Sequence, residues 1–151
     1  MADNLQHSVV WTDVVVVGGG GSGLAAAIEA RSLGRQVILI EKNPALGGST
    51  ARSVGSISAT NTPHQLRKGI HDCPDHHFED IGRFNAYLQV PDNEAHRRLL
   101  VDNIPETFRW LMQMGVEFFG PIGEPPHRKP RMHNVLPNSR AYIYHLSRRA
   151  R

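Results

Sequence analysis

Apolar and polar residues alternate in blocks whose order predicts strand, turn, helix, strand at the start of the chain. Residues 13–17 are a β-branched run suited to a buried parallel strand, and residues 22–33 carry the alanine-rich spacing of a helix that Gly34 stops. A second apolar run, residues 36–40, predicts the next parallel strand. Farther on, prolines or polar residues open expected helices at 74–85, 93–101 and 105–114, with Gly115 ending the last. Leu99, Leu100, Phe108, Leu111 and Met112 form the expected apolar face of this region. Residues 116–119 predict a short strand. Residues 121–137, rich in Pro, Gly, His and Arg, predict a long irregular loop before a helix at 139–148.

Between the first strand and helix, Gly18, Gly20 and Gly23 stand in GxGxxG spacing. Each serves a separate need: a tight turn, approach of the backbone to a pyrophosphate, and close packing of helix on strand. The helix start then aims unpaired N–H groups and its positive dipole end at the phosphates. Glu41 ends the second strand about 20 residues beyond the turn, where dinucleotide folds place a ribose-binding carboxylate. Its charge disfavours a 2′-phosphate, so NADP is set aside and FAD or NAD remains. Lys42 beside it joins the candidate cofactor contacts. Gly47, Gly48, Ser49 and Thr50 then form a second backbone-exposing loop with two hydroxyls, which favours FAD. The expected fold is α/β, a Rossmann-like FAD-binding domain with a parallel sheet.

With these motifs the chain resembles the flavoprotein family of fumarate reductases, succinate dehydrogenases and 3-ketosteroid Δ1-dehydrogenases, nearly along its whole length. The resemblance implies that Gly47, Gly48, Ser49 and Thr50, followed by Gly55 and Ser56, wrap the ribityl chain and isoalloxazine. Ser22 stands where the family usually has Ala, Ser49 where Asn is frequent, and Ser56 where a second Gly often occurs. Respiratory members that attach FAD covalently use a histidine just after the second strand, and none stands between Glu41 and Asn61. The resemblance therefore implies noncovalent FAD and the soluble branch. It also implies hydride transfer at flavin N5 on a substrate CH–CH bond, with the proton-handling residues in later segments, so no catalytic residue is assigned. Arg131 and His133 are candidates for the active-site side by analogy.

At 151 residues the chain is shorter than enzymes of that family, whose FAD domain is interrupted by a substrate-capping domain and completed by C-terminal sequence. Expected are a leader at 1–12 and an incomplete FAD-binding domain at 13–151. Two alternatives stay open: a non-catalytic truncated product that keeps part of the dinucleotide site, and an NAD-binding module.

Charge is divided unevenly. Residues 1–124 carry ten basic and fourteen acidic side chains, whereas 125–151 carry seven basic and none acidic. Without a stacking platform or reader motif this tail does not point to nucleic acid, and Arg148, Arg149 and Arg151 suit the C-terminal end of a helix. Cys73, the single cysteine, excludes an intrachain disulfide and reads as the N-cap of the helix at 74. His71, Cys73, His76 and His77 match no standard zinc spacing, so no metal is expected, and His76 and His77 are expected to decorate the helix surface. No secretory signal or transmembrane-length stretch is visible, and a cytoplasmic protein acting on a small molecule, without nucleic-acid or membrane partners, is expected.

Overall fold

The computed structural model describes residues 9–88 and 91–151. Residues 1–8 of the expected leader lie outside them. In chain order the elements are β1 (Val14–Val17), α1 (Gly21–Ser32), β2 (Val37–Ile40), a 3₁₀ turn (Thr50–Arg52) and β3 (Ile57–Ser58). Then come α2 (Pro63–Arg67), α3 (Pro74–Leu88), α4 (Glu94–Gln113), β4 (Glu117–Ile122), β5 (Met132–Leu136) and α5 (Arg140–Ala150).

β1 and β2 pair in parallel from Val14 opposite Val37 to Val17 opposite Ile40. The crossover between them is α1, as a parallel pair requires. This β1-α1-β2 unit matches the expected α/β, Rossmann-like organisation. A second, antiparallel sheet runs in the order β3-β5-β4. The core lies between α1, α4, α5 and this second sheet, where Leu24, Ile28, Phe108, Leu111, Val135 and Leu146 pack together. Phe108 and Phe118 stack in it with ring centroids 4.3 Å apart.

Three expectations about the later chain are corrected. The two helices expected at 93–101 and 105–114 are one, α4, which carries Pro105 in its interior. Proline removes one ladder bond and costs about 3 kcal/mol in a helix interior. Here it sits on the buried stripe Val101, Pro105, Phe108 and Leu111, whose burial offsets that cost. The continuous helix also sets a different phase, so Leu99 and Leu100 are exposed rather than part of the core face.

Second, the expected loop at 121–137 contains the end of β4 and all of β5. Its inward residues are His133 and Val135, and a histidine on the buried face hides the apolar alternation of a strand. Third, His77 does not decorate α3 but is buried; His76 is exposed as expected. The Cys73 carbonyl accepts from the His77 N–H at 3.2 Å, the first bond of α3, in keeping with the N-cap position.

Candidate cofactor site

The glycine turn and the second loop meet. A parallel bridge joins Gly20 to Gly47, and the Gly47 N–H donates to the Gly19 carbonyl at 2.9 Å. The Gly21 N–H donates to Thr50 Oγ1 at 3.1 Å, which ties the second loop to the start of α1. Thr50 thus fills one of the free donor positions that open any helix. The N–H groups of Gly20, Ser22 and Gly23 have no protein partner among the described residues, and Gly20 as N-cap supplies no side-chain bond. Unpaired donors at a helix start, with the dipole behind them, form an anion site.

The three motif glycines differ in what a side chain would meet. Gly18 has φ of +104°, a conformation L side chains rarely adopt. A Cβ at Gly23 would overlap the Gly18 carbonyl oxygen, so the helix packs on the strand only with glycine there. At Gly20 a Cβ would meet nothing nearer than the Gly47 carbonyl oxygen at 3.8 Å. The protein leaves that space open above unpaired donors, which is what a dinucleotide pyrophosphate needs, and the residues present therefore fit the group.

Glu41 ends β2 beside this turn. Its Oε2 accepts from the Gly19 N–H at 2.7 Å, and its Oε1 accepts from the backbone N–H and the side-chain amide of Asn43 at 2.9 and 2.8 Å. The Gly19 N–H foremost, and Asn43 behind it, hold the carboxyl below the usual carboxylate range. A carboxylate has about four acceptor sites, so one remains for a ribose hydroxyl. Lys42 is exposed and makes no ion pair among the described residues.

From Ser22 a groove of about 530 Å³ runs past Ser49, Thr50, Gly55 and Ser56, walled by Trp110, Leu111 and Tyr142. It gathers five of the expected cofactor residues into one surface. Three have polar groups already engaged: Thr50 Oγ1 by the Gly21 N–H, the Ser56 hydroxyl, which donates to Asn134 Oδ1 at 2.6 Å, and the Gly55 carbonyl, which accepts from the Tyr142 hydroxyl at 2.6 Å. Burial pushes the Tyr142 phenol up, so it stays protonated and donating. Gly19, Gly21, Trp110 and Tyr142 were not anticipated as site residues. The unbroken run Gly18–Gly21 was a visible signal for the first two, while Trp110 and Tyr142 arrive only through helix packing.

The chain's residues 13–144 match the family model described as FAD binding domain. The chain belongs to that family. Among similar proteins, the chain is 38% identical over 107 residues to an NADH:fumarate oxidoreductase of Klebsiella pneumoniae (strain 342), covering 69% of the chain and 11% of that protein. It is 46% identical over 63 residues to a 3-oxosteroid 1-dehydrogenase of Mycolicibacterium smegmatis, covering 42% of the chain and 11% of the relative. The open conformation of a flavocytochrome c3 fumarate reductase superposes with a TM-score of 0.82 at 25% identity, over 92% of this chain and 25% of the other. The chain thus spans a small part of the length of the proteins it resembles.

Arg131 and His133, the candidates for the active-site side, do not line this groove. Both are fully buried. His133 Nε2 lies 3.0 Å from Thr62 Oγ1, and burial pushes its imidazole down to about 4. Arg131 donates to both oxygens of Asp72 at 2.6 and 2.8 Å and to Asp80 Oδ2 at 2.6 Å. Arg128 reaches Asp80 and Glu79. Burial alone would raise the Asp80 carboxyl, but the Arg128 N–H and the two guanidiniums outweigh it and hold it at about 2. Two of the seven tail cations are therefore spent on acids from α3 and the segment before it. Among the described residues no group of three or more His, Cys, Asp or Glu side chains is placed to hold a metal.

Proposed function

We propose that the chain is the FAD-binding N-terminal portion of an oxidoreductase acting on a substrate CH–CH bond, with FAD held noncovalently. The observation that carries this reading is the continuity of the unpaired donors of Gly20, Ser22 and Gly23 with the groove past Ser49 and Ser56. The helix start holds the pyrophosphate, Glu41 and Lys42 the adenosine end, and Gly47, Gly48, Ser49, Thr50, Gly55 and Ser56 the ribityl and ring end. Bound FAD supplies hydride exchange; the protein supplies binding, orientation and exclusion of water. Noncovalent binding is supported by the absence of histidine, cysteine and tyrosine from residues 42–60. The activities that name the relatives, fumarate reduction and 3-oxosteroid dehydrogenation, support the CH–CH class.

Residues 13–151 serve as an incomplete part of the FAD domain in this reading. A two-stranded sheet is marginal alone, and on it Val15 is 54% and Val17 83% exposed, an apolar face suited to cover by a further layer of structure. The same observation favours a second reading, a non-catalytic product that keeps part of the site. No helix among the described residues is long and apolar enough to cross a membrane, and the single cysteine suits a reducing cytoplasm. The test is the absorption spectrum of the purified chain with excess FAD after removal of free flavin, with NAD in a parallel sample. A flavin band that travels with the protein supports the oxidoreductase reading, and a colourless protein supports the second.

A further inference from the structure

Ser56 and Ile57 line both the cofactor groove and a second cavity, of about 450 Å³. The rest of its described wall includes Phe84, Leu100 and Ile104, which are apolar, and His77, Glu124 and His127. His77 is 1% exposed, and neither ring nitrogen has a hydrogen-bond partner among the described residues. Burial, with the charge of Arg131 behind it, pushes this imidazole down to about 4, so the ring is neutral and offers one donor and one acceptor. A buried donor and acceptor left unmet against an apolar wall is a cost that a suitable ligand removes.

The charges around the cavity decide what kind of ligand. Arg131 gives its donors to Asp72 and Asp80, and one more to His127 Nδ1 at 3.0 Å, so the neutral His127 ring carries its proton on Nε2. Arg128 is held by Glu79 and Asp80. No lysine or arginine lines the described wall, and Glu124 does. A carboxylate entering here would meet a like charge with no counter-ion, whereas a ketone or alcohol would meet the imidazole.

We propose that this cavity binds an uncharged, largely apolar molecule bearing a carbonyl or hydroxyl oxygen, with His77 as the residue that hydrogen-bonds it. The identification of that molecule as substrate rests on the oxidoreductase reading above, because the shared Ser56–Ile57 wall sets the cavity against the cofactor groove. It selects a neutral enone or its saturated ketone over a dicarboxylate.

The test uses the full chain without FAD, titrated with cyclohex-2-en-1-one and, separately, with cyclohex-1-ene-1-carboxylate, while ¹⁵N NMR follows the imidazole signals; His77→Gln assigns the His77 resonance. The enone is expected to shift the His77 ring nitrogens saturably and the carboxylate to leave them in place. His77→Phe, which keeps an aromatic ring without nitrogens, is expected to weaken enone binding about tenfold, and His77→Gln, with a donor and an acceptor, to retain it. Absence of a saturable His77 shift, equal response to the carboxylate, or unweakened binding by His77→Phe would overturn the proposal. Enone binding by a chain that fails to take up FAD would instead overturn the oxidoreductase reading and leave the cavity assignment standing.

Discussion

The two halves of this molecule solve opposite problems with hydrogen bonds. In the β1-α1-β2 half, the backbone donors of Gly20, Ser22 and Gly23 have no protein partner among the described residues. In the half built on β3, β4 and β5, full positive and negative charges are buried and paired with one another, Arg131 against Asp72 and Asp80. The first leaves donors free for an anion that is not protein. The second sets the charges of Arg131, Asp72 and Asp80 against one another, so it holds the loop at 124–131 against α3. The free backbone donors of the one and the paired side-chain charges of the other distinguish an anion site from a structural clamp.

The sharpest way to break the contrast is to unpair the clamp. Asp80→Ala leaves Arg131 and Arg128 without a shared partner, and removing one member of a buried ion pair costs about 3–5 kcal/mol. Urea unfolding should show a loss of that size, with binding lost only as a consequence of unfolding.

Acid should act on the same half. His77 and His133 both titrate near 4 in the folded chain, below the ordinary histidine value of about 6.5. The unfolded chain therefore binds more protons between those values, and stability is complete above about pH 6.5 and falls as the pH drops toward 4. Asp80, held at about 2, adds a further loss below the usual carboxylate range. Denaturation midpoints measured from pH 7 to pH 4 should decline steadily, and a flat profile would mean that the two histidines are not buried as neutral rings.

The smallest effect belongs to the junction of the two glycine loops. Thr50→Val keeps the shape but removes the hydroxyl that accepts from the Gly21 N–H. Calorimetry should show a loss of about 1 kcal/mol, the net contribution of one such bond.

The contrast also explains what could be read from sequence. The β1-α1-β2 half is local: strand periods, helix spacing and a GxGxxG turn declare themselves between Asp13 and Glu41, and the candidates Gly18, Gly20, Gly23 and Glu41 follow from that spacing, whereas Gly55 and Ser56 rest on the family resemblance. The clamp is not local. Arg131 meets Asp72 across 59 positions and Asp80 across 51, and no period in the sequence marks that pairing. Its strand β5 was hidden between Pro130 and Pro137 with His133 at an inward position. His77 looked like a surface decoration because a histidine beside a histidine in a polar helix carries no mark of burial. Pro105 misdirected the helix boundaries because local chemistry was outweighed by a buried stripe that spans it.

The most direct test of the central claim, that the helix start with its unpaired donors holds the FAD pyrophosphate, is an equilibrium titration of the chain with FAD beside the Gly20→Val variant. The added side chain meets no protein atom closer than 3.8 Å at Cβ, so the unfolding midpoint should stay close to that of the parent. FAD affinity should fall about tenfold or more, the effect of losing a hydrogen bond to a charged group. Equal affinity of the two chains for FAD, with both folded, would contradict the assignment.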